Sequence, residues 1–186
     1  DRFLKADGTA RESFGGGRLG TTHAMSRRIL VDSITYLTRE FKVDGFRFDM
    51  MGDHDAAAIE QAFKAAKAIN PNTIMIGEGW RTYQGDEGKK ETAADQDWMK
   101  ATNTVGVFSD DIRTLKSGFP NEGTAAFITG GAKNLEGLFK TIKAQPGNFE
   151  ADAPGDVVQY IAAHDNLTLH DVIAKSINKD PKVAEE

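Results

Sequence analysis

The chain contains no cysteine, which excludes disulfides and thiolate-bound metals and leaves the cellular compartment open. It has no apolar run long enough to cross a bilayer, and its first residues carry no charged-then-apolar leader pattern. A basic excess is missing too. With a formal net charge of −5, a non-specific nucleic-acid surface is disfavoured. Residue-level repeats and low-complexity tracts are absent. What is there is an ordinary globular composition, 39% hydrophobic and 27% charged, over 186 residues, a length that suits one domain. Asp1-Arg2-Phe3 opens without an initiator methionine, and the chain is expected to be an excerpt of a longer protein whose targeting signals would lie elsewhere.

The most informative stretch is Val43-Asp44-Gly45-Phe46-Arg47-Phe48-Asp49. Its alternation of large apolar with polar or small residues predicts a short buried strand that delivers Asp49 at its C-terminal end. Arg47, two positions earlier, falls on the same strand face as Asp49. A guanidinium there favours an ionised carboxylate and fixes its orientation. Taken alone, the stretch fits a catalytic carboxylate or a structural ion pair.

Three more strands are predicted. Thr73-Ile74-Met75-Ile76 is a continuous apolar run, as for a strand covered on both faces, and it ends in Gly77-Glu78-Gly79-Trp80. Thr104 to Phe108 runs into Ser109-Asp110-Asp111, and Asp156 to Ala163 into His164-Asp165-Asn166. Between them lie helical patterns. One covers about 23–41, with Thr22 as a plausible N-cap and a stripe of Leu30, Ile34, Leu37 and Phe41. A second covers 56–69, with Ile59, Ala62, Phe63, Ala66 and Ile69 on one face, and Asn70-Pro71 closes it. Short or weak helices are expected near 94–100, 134–143 and after Leu169, with loop over 117–134. Gly15, Gly17 and Gly20 match G-x-G-x-x-G, yet no strand precedes them and Thr21 stands where a phosphate loop needs lysine, so a flexible loop is the reading.

This alternation predicts an α/β fold of parallel strands joined by right-handed crossovers. All four strands carry their polar groups at the same end, where parallel α/β folds place their chemistry. That recurrence favours a catalytic centre over isolated ion pairs. Two chemistries use such groups. A divalent-metal hydrolase would draw on Asp53, His54, Asp55, His164 and Asp165 with Asp49. A glycosidase would use one carboxylate to attack the anomeric carbon and another to protonate the leaving oxygen. Arg47 beside Asp49 favours the second, because a cation competes with a metal; Trp80 beside Glu78 offers a face for a sugar ring, or else belongs to the core.

Three strings, 43–49, 77–80 and 160–166, resemble in order and spacing the signature regions of the alpha-amylase superfamily, glycoside hydrolase family 13. The longer strings 13–20, 45–52, 77–82 and 164–169 resemble the type I pullulanases in particular. The resemblance implies Asp49 as nucleophile, Glu78 as general acid/base and Asp165 as the third acid that binds substrate hydroxyls. It further implies that Arg47 orients Asp49, that His164 bonds the sugar beside the scissile linkage, and that Trp80 and Asn166 touch substrate. The implied activity is cleavage of α-1,6 linkages of pullulan, glycogen or starch branches with retention, in a secreted or surface protein. No cofactor is needed for the chemistry, and a structural calcium of unknown ligands is compatible with it. Isoamylases and branching enzymes share the same acids, and a silent α-glucan-binding fragment is a further alternative. Since a complete (β/α)8 TIM barrel needs about 250 residues, residues 1–186 are expected to be a partial barrel, roughly strands 4 to 7 with flanking helices, incomplete at both ends and inactive or aggregating alone. Asn166-Leu167-Thr168 is formally a glycosylation sequon, but its place at a strand end argues against its use.

Overall fold

The computed structural model describes residues 1–117 and 125–179. The protein is α/β, with a four-stranded sheet whose strands lie in the order Gly45–Phe48, Ile74–Gly77, Gly106–Ser109 and Val157–Gln159, the first three paired in parallel. Residues up to Val107 form one compact unit, and a second begins at Phe108.

The first unit opens with a hairpin, β1 (Glu12–Ser13) against β2 (Gly16–Gly17), antiparallel. The glycine-rich stretch is therefore a tight turn, and Gly16 takes a positive φ of 125° that side-chain-bearing residues avoid. Helix α1 (Ala24–Glu40) follows. Its N-cap is His23, not Thr22, and makes no side-chain capping bond. The His23 ring is engaged elsewhere, bonded to Asp86 at 2.6 Å and edge-on to Phe3. The first helical bond runs from Arg27 N to His23 O, which sets the start one residue later than the pattern suggested.

The buried face of α1 also differs from the expected stripe. Ile34 is buried, but Leu37 and Phe41 are exposed, and Ser26 and Thr38 are buried in their place. Thr38 satisfies its hydroxyl on the Ile34 carbonyl at 2.8 Å. Helix α2 (Ala56–Ile69) packs against α1. Its buried residues are Ala56, Ala58, Ile59, Ala62 and Ala66, so small side chains on both helices permit close approach. Asp55 caps α2 by accepting from Ala58 N at 3.0 Å, and Asn70 closes it.

Strand β3 (Gly45–Phe48) pairs in parallel with β4 (Ile74–Gly77), with Arg47 opposite Ile76 and Phe48 opposite Gly77. Gly45 is required here, because a Cβ would stand 2.5 Å from the Ile74 carbonyl oxygen. β3 is shorter than the predicted stretch 43–49, and β4 is not covered throughout: Met75 is buried while Ile74 is exposed. A 3-10 turn spans Gln96–Ala101, where a short helix was expected. Strand β5 (Gly106–Ser109) pairs with β4 through Ile76–Gly106 and Gly77–Val107. Phe3, Met51, Ile59, Met75, Met99 and Val107 form the core of this unit.

In the second unit, α3 (Asp111–Ser117) begins directly at the end of β5, a helix not expected from the sequence. The loop reading of 117–134 falls partly on residues 118–124, outside the described residues. Helix α4 (Leu135–Ile142) is capped by Asn134, whose side chain accepts from Gly137 N at 2.8 Å. Strand β6 (Val157–Gln159) is again shorter than its apolar run, and α5 (Leu169–Lys179) starts where predicted. Among the described residues, no helix is long and apolar enough to cross a membrane.

Candidate active site

Parallel pairing in register sets the first part of the site. Because Phe48 lies opposite Gly77, the next residues along each strand, Asp49 and Glu78, leave the sheet side by side. The Glu78 amide continues the ladder to the Phe48 carbonyl at 3.1 Å. Arg47 then bridges both carboxylates. Its Nη1 donates to Asp49 Oδ1, and its Nη2 lies 2.8 Å from Glu78 Oε1. One guanidinium's width plus two hydrogen bonds is all that separates the two acids. A forked, always charged donor suits this task where a point charge would not.

The two carboxylates differ in setting. The Asp49 side chain is 76% exposed, whereas that of Glu78 is 9% exposed. The second Glu78 oxygen accepts from Met50 N at 2.8 Å, and the Glu78 carbonyl accepts from Gly52 N at 2.9 Å. Met50 adopts φ 44°, ψ 44°, a left-handed conformation that a residue with a side chain holds only when its surroundings impose it. Gly52 is equally constrained, since a Cβ there would meet the Trp80 carbonyl oxygen at 1.8 Å. Trp80 is half-buried.

Residues after Asp49 turn through Met51–Asp53 in a 3-10 turn. Asp53 is buried and accepts from the Ser13 hydroxyl, from Arg18, and from Thr82 Oγ1 at 2.6 Å. Asp55 pairs with Arg27 at 2.5 Å while capping α2. Asp53 and Asp55, two of the four carboxylates weighed as metal ligands, are thus taken up by arginines, and among the described residues no group of three His, Cys, Asp or Glu is arranged to hold a metal. Burial lowers the pKa of His54, against the opposing pull of Asp53 and Asp55. Tyr83 is pushed up to about 12, first by burial and then by Asp55, Glu91 and Asp86. Sequence reasoning missed Arg18 and Thr82. The available signal was a lone arginine inside a glycine-rich loop with no acid at bonding distance along the chain.

The second unit carries the other expected residues. His164, Asp165 and Asn166 lie in the turn after β6, where Asn166 N bonds Ala163 O at 3.3 Å. His164 Nε2 is 3.2 Å from Asp165 Oδ1, with side chains 73% and 60% exposed. The acids at the end of β5 have structural partners. Asp110 Oδ1 accepts from Arg113 at 2.5 Å and from the Tyr160 hydroxyl at 3.2 Å, and Asp111 Oδ2 accepts from Gly147 N at 2.6 Å. Both border a cavity of about 600 Å3 with Asn134, Lys140 and Asn148.

No family model matches the chain. It is 71% identical over 184 residues to pullulanase A of Streptococcus pneumoniae, a match covering 98% of this chain and 15% of that protein. The crystal structure of the Group B Streptococcus pullulanase SAP superposes with a TM-score of 0.92 at 83% identity, covering 100% of this chain and 24% of that one. The same pullulanase in complex with maltotetraose gives a TM-score of 0.91 at 83% identity, covering 99% and 24%. The chain therefore spans well under a third of the length of the relatives it matches.

Proposed function

We propose, from the 71% identity to a pullulanase along nearly all of this chain, that the protein carrying it is a retaining glycoside hydrolase that cleaves α-1,6-glucosidic branch linkages of pullulan and related α-glucans. The observation that carries the reading is Arg47 bonded at once to Asp49 and Glu78 on neighbouring strand ends. Retention needs an attacking and a protonating carboxyl roughly 5–5.5 Å apart, and one shared guanidinium is compatible with that spacing. The maltotetraose complex of the relative supports an α-glucan ligand.

In the first step an Asp49 oxygen bonds to the anomeric carbon as the bond to the departing glycosidic oxygen breaks, and Glu78 gives that oxygen its proton. In the second, Glu78 takes a proton from water, whose oxygen displaces Asp49 and restores the original configuration. Arg47 keeps Asp49 oriented for attack. Asp165 is the third acid, binding substrate hydroxyls and stabilising the charge that develops on the ring. His164 bonds the sugar beside the scissile linkage, and Trp80 and Asn166 contact substrate. The double displacement needs no cofactor, and a structural calcium would serve stability alone.

The chain corresponds in this reading to strands 4 to 7 of a (β/α)8 barrel, working on a polymer outside the cell or at its surface. Residues 1–186 alone are inactive. The test is pullulan hydrolysis by the full-length protein followed by proton NMR of the first-released anomer. The α-anomer is the expected product. Release of the β-anomer, or continued turnover by an Asp49→Ala variant, overturns the assignment.

A further inference from the structure

One buried ion pair in the first unit lies outside the residues given a role above. The Arg18 and Asp53 side chains are 7% and 6% exposed and bonded to each other. Arg18 also donates to the Thr82 carbonyl at 2.5 Å and, through Nε, to the Glu12 carbonyl at 2.9 Å. Asp53 in turn accepts from the hydroxyls of Ser13 and Thr82. Asp53 stands four residues beyond Asp49, and Thr82 four residues beyond Glu78. The hairpin arginine therefore ties together the loops that follow both carboxylate-bearing strands.

We propose that Arg18 is a positioning residue for Glu78, acting through Asp53 and the 50–53 turn; this rests on reading Glu78 as the acid/base. The path is short. Glu78 Oε2 is held by Met50 N, and that amide points at the carboxylate because Met50 is kept left-handed. The turn that keeps it so is closed by Asp53 N on the Met50 carbonyl at 2.9 Å and by Gly52 N on the Glu78 carbonyl. Asp53 is the anchored end of that turn. Releasing its carboxylate frees Met50 to leave its unfavourable conformation, and the Glu78 oxygen loses its donor. Asp49 receives no bond from this cluster. The clamp acts on the acid and not on the nucleophile.

That asymmetry separates positioning from plain structural support. A substrate whose leaving group departs without a proton, such as α-maltotriosyl fluoride, bypasses the acid in the first step, whereas pullulan needs it. In the full-length protein, Arg18→Lys keeps the charge but loses the fork, and Thr82→Val removes one donor to Asp53. Both are expected to lower kcat/KM on pullulan by roughly 10- to 100-fold, chiefly through kcat, while the fluoride loses less than about 3-fold. Equal losses on the two substrates, or none on pullulan, would overturn the proposal. Should Arg18→Lys fold poorly, Thr82→Val carries the same test with a single bond removed. Glu78→Gln run alongside is expected to show the same leaving-group dependence. If Glu78→Gln retains full turnover of pullulan, the acid/base reading itself is wrong. If it is inactive on pullulan while both clamp variants match the unsubstituted protein, that reading stands and the Arg18 inference alone falls.

Discussion

The strand end at Glu78 and the strand end at Asp165 carry the same chemical group in opposite states. Glu78 is almost fully buried and accepts from both Arg47 and Met50 N. Asp165 is 60% exposed, and His164, itself 73% exposed, is the partner the structure gives it. Glu78 directly follows β4, whereas Asp165 lies in the turn beyond β6, which ends at Gln159. What differs is the supply of donors and cover. Residues 1–107 provide Glu78 with a guanidinium, an amide and a closed turn, and burial makes each of those bonds expensive to lose. An exposed carboxylate beside an exposed imidazole gains little, because water competes for both. The Glu78 carboxylate is preorganised by bonds from its own unit.

The largest effects should fall on the two acids that Arg47 bridges. Glu78→Gln in the full-length protein is expected to cut pullulan turnover by about 10^3-fold or more, and Asp49→Ala to abolish it while substrate binding survives, measured by reducing-sugar release and calorimetry. A contrast sharpens the comparison. Asp165→Asn should also slow turnover but leave the melting temperature unchanged, whereas Arg47→Met should lower both. Equal melting shifts for the two would break the distinction drawn above.

Next in size is stability. Arg18→Met leaves Asp53 buried without its cation, and a loss of about 3–5 kcal/mol is expected in denaturant unfolding, as for any buried pair deprived of one partner. A pH effect comes third. The His54 pKa is lowered in the folded state by burial, so unfolding takes up a proton on this ring between its ordinary value of 6.5 and the depressed folded value. Its contribution is fully present above pH 6.5 and is lost as pH falls through that window. His54→Gln should flatten the fall in melting temperature over that range; an unchanged slope would refute the link. The smallest effect belongs to the exposed Arg28–Asp32 pair on α1, whose side chains are 71% and 66% exposed. Arg28→Ala should change stability by no more than about 0.5 kcal/mol.

Much of the framework under the candidate site was legible because its determinants are local. Alternation around Phe46 and Phe48 announced β3, and the polar residue closing each apolar run announced a strand end. The bounds of α2 follow from Asp55 before it and Asn70-Pro71 after it. By contrast, the buried face of α1 was misjudged because hydrophobicity alone cannot tell which side another helix will cover. Met25, Ile29, Tyr36 and Phe41 are exposed while Ser26 and Thr38 are buried. Helix α3 was missed for a related reason: Asp110 and Asp111 looked like further strand-end acids, and the arginine, tyrosine and glycine amide that occupy them lie 3 to 50 positions away.

The sequence by itself determined which residues could do chemistry here. Asp49, Glu78, His164 and Asp165 each follow a short apolar run, and that order is written in nearest neighbours. Only the tertiary structure decided which carboxylate is held and which is left in water. Arg47 reaches Glu78 because parallel pairing sets Phe48 against Gly77, and Arg18 reaches Asp53 because a hairpin folds back across 35 positions. Hydrogen bonds between such distant groups depend on backbone register and burial, and neither is encoded in the residues that make them.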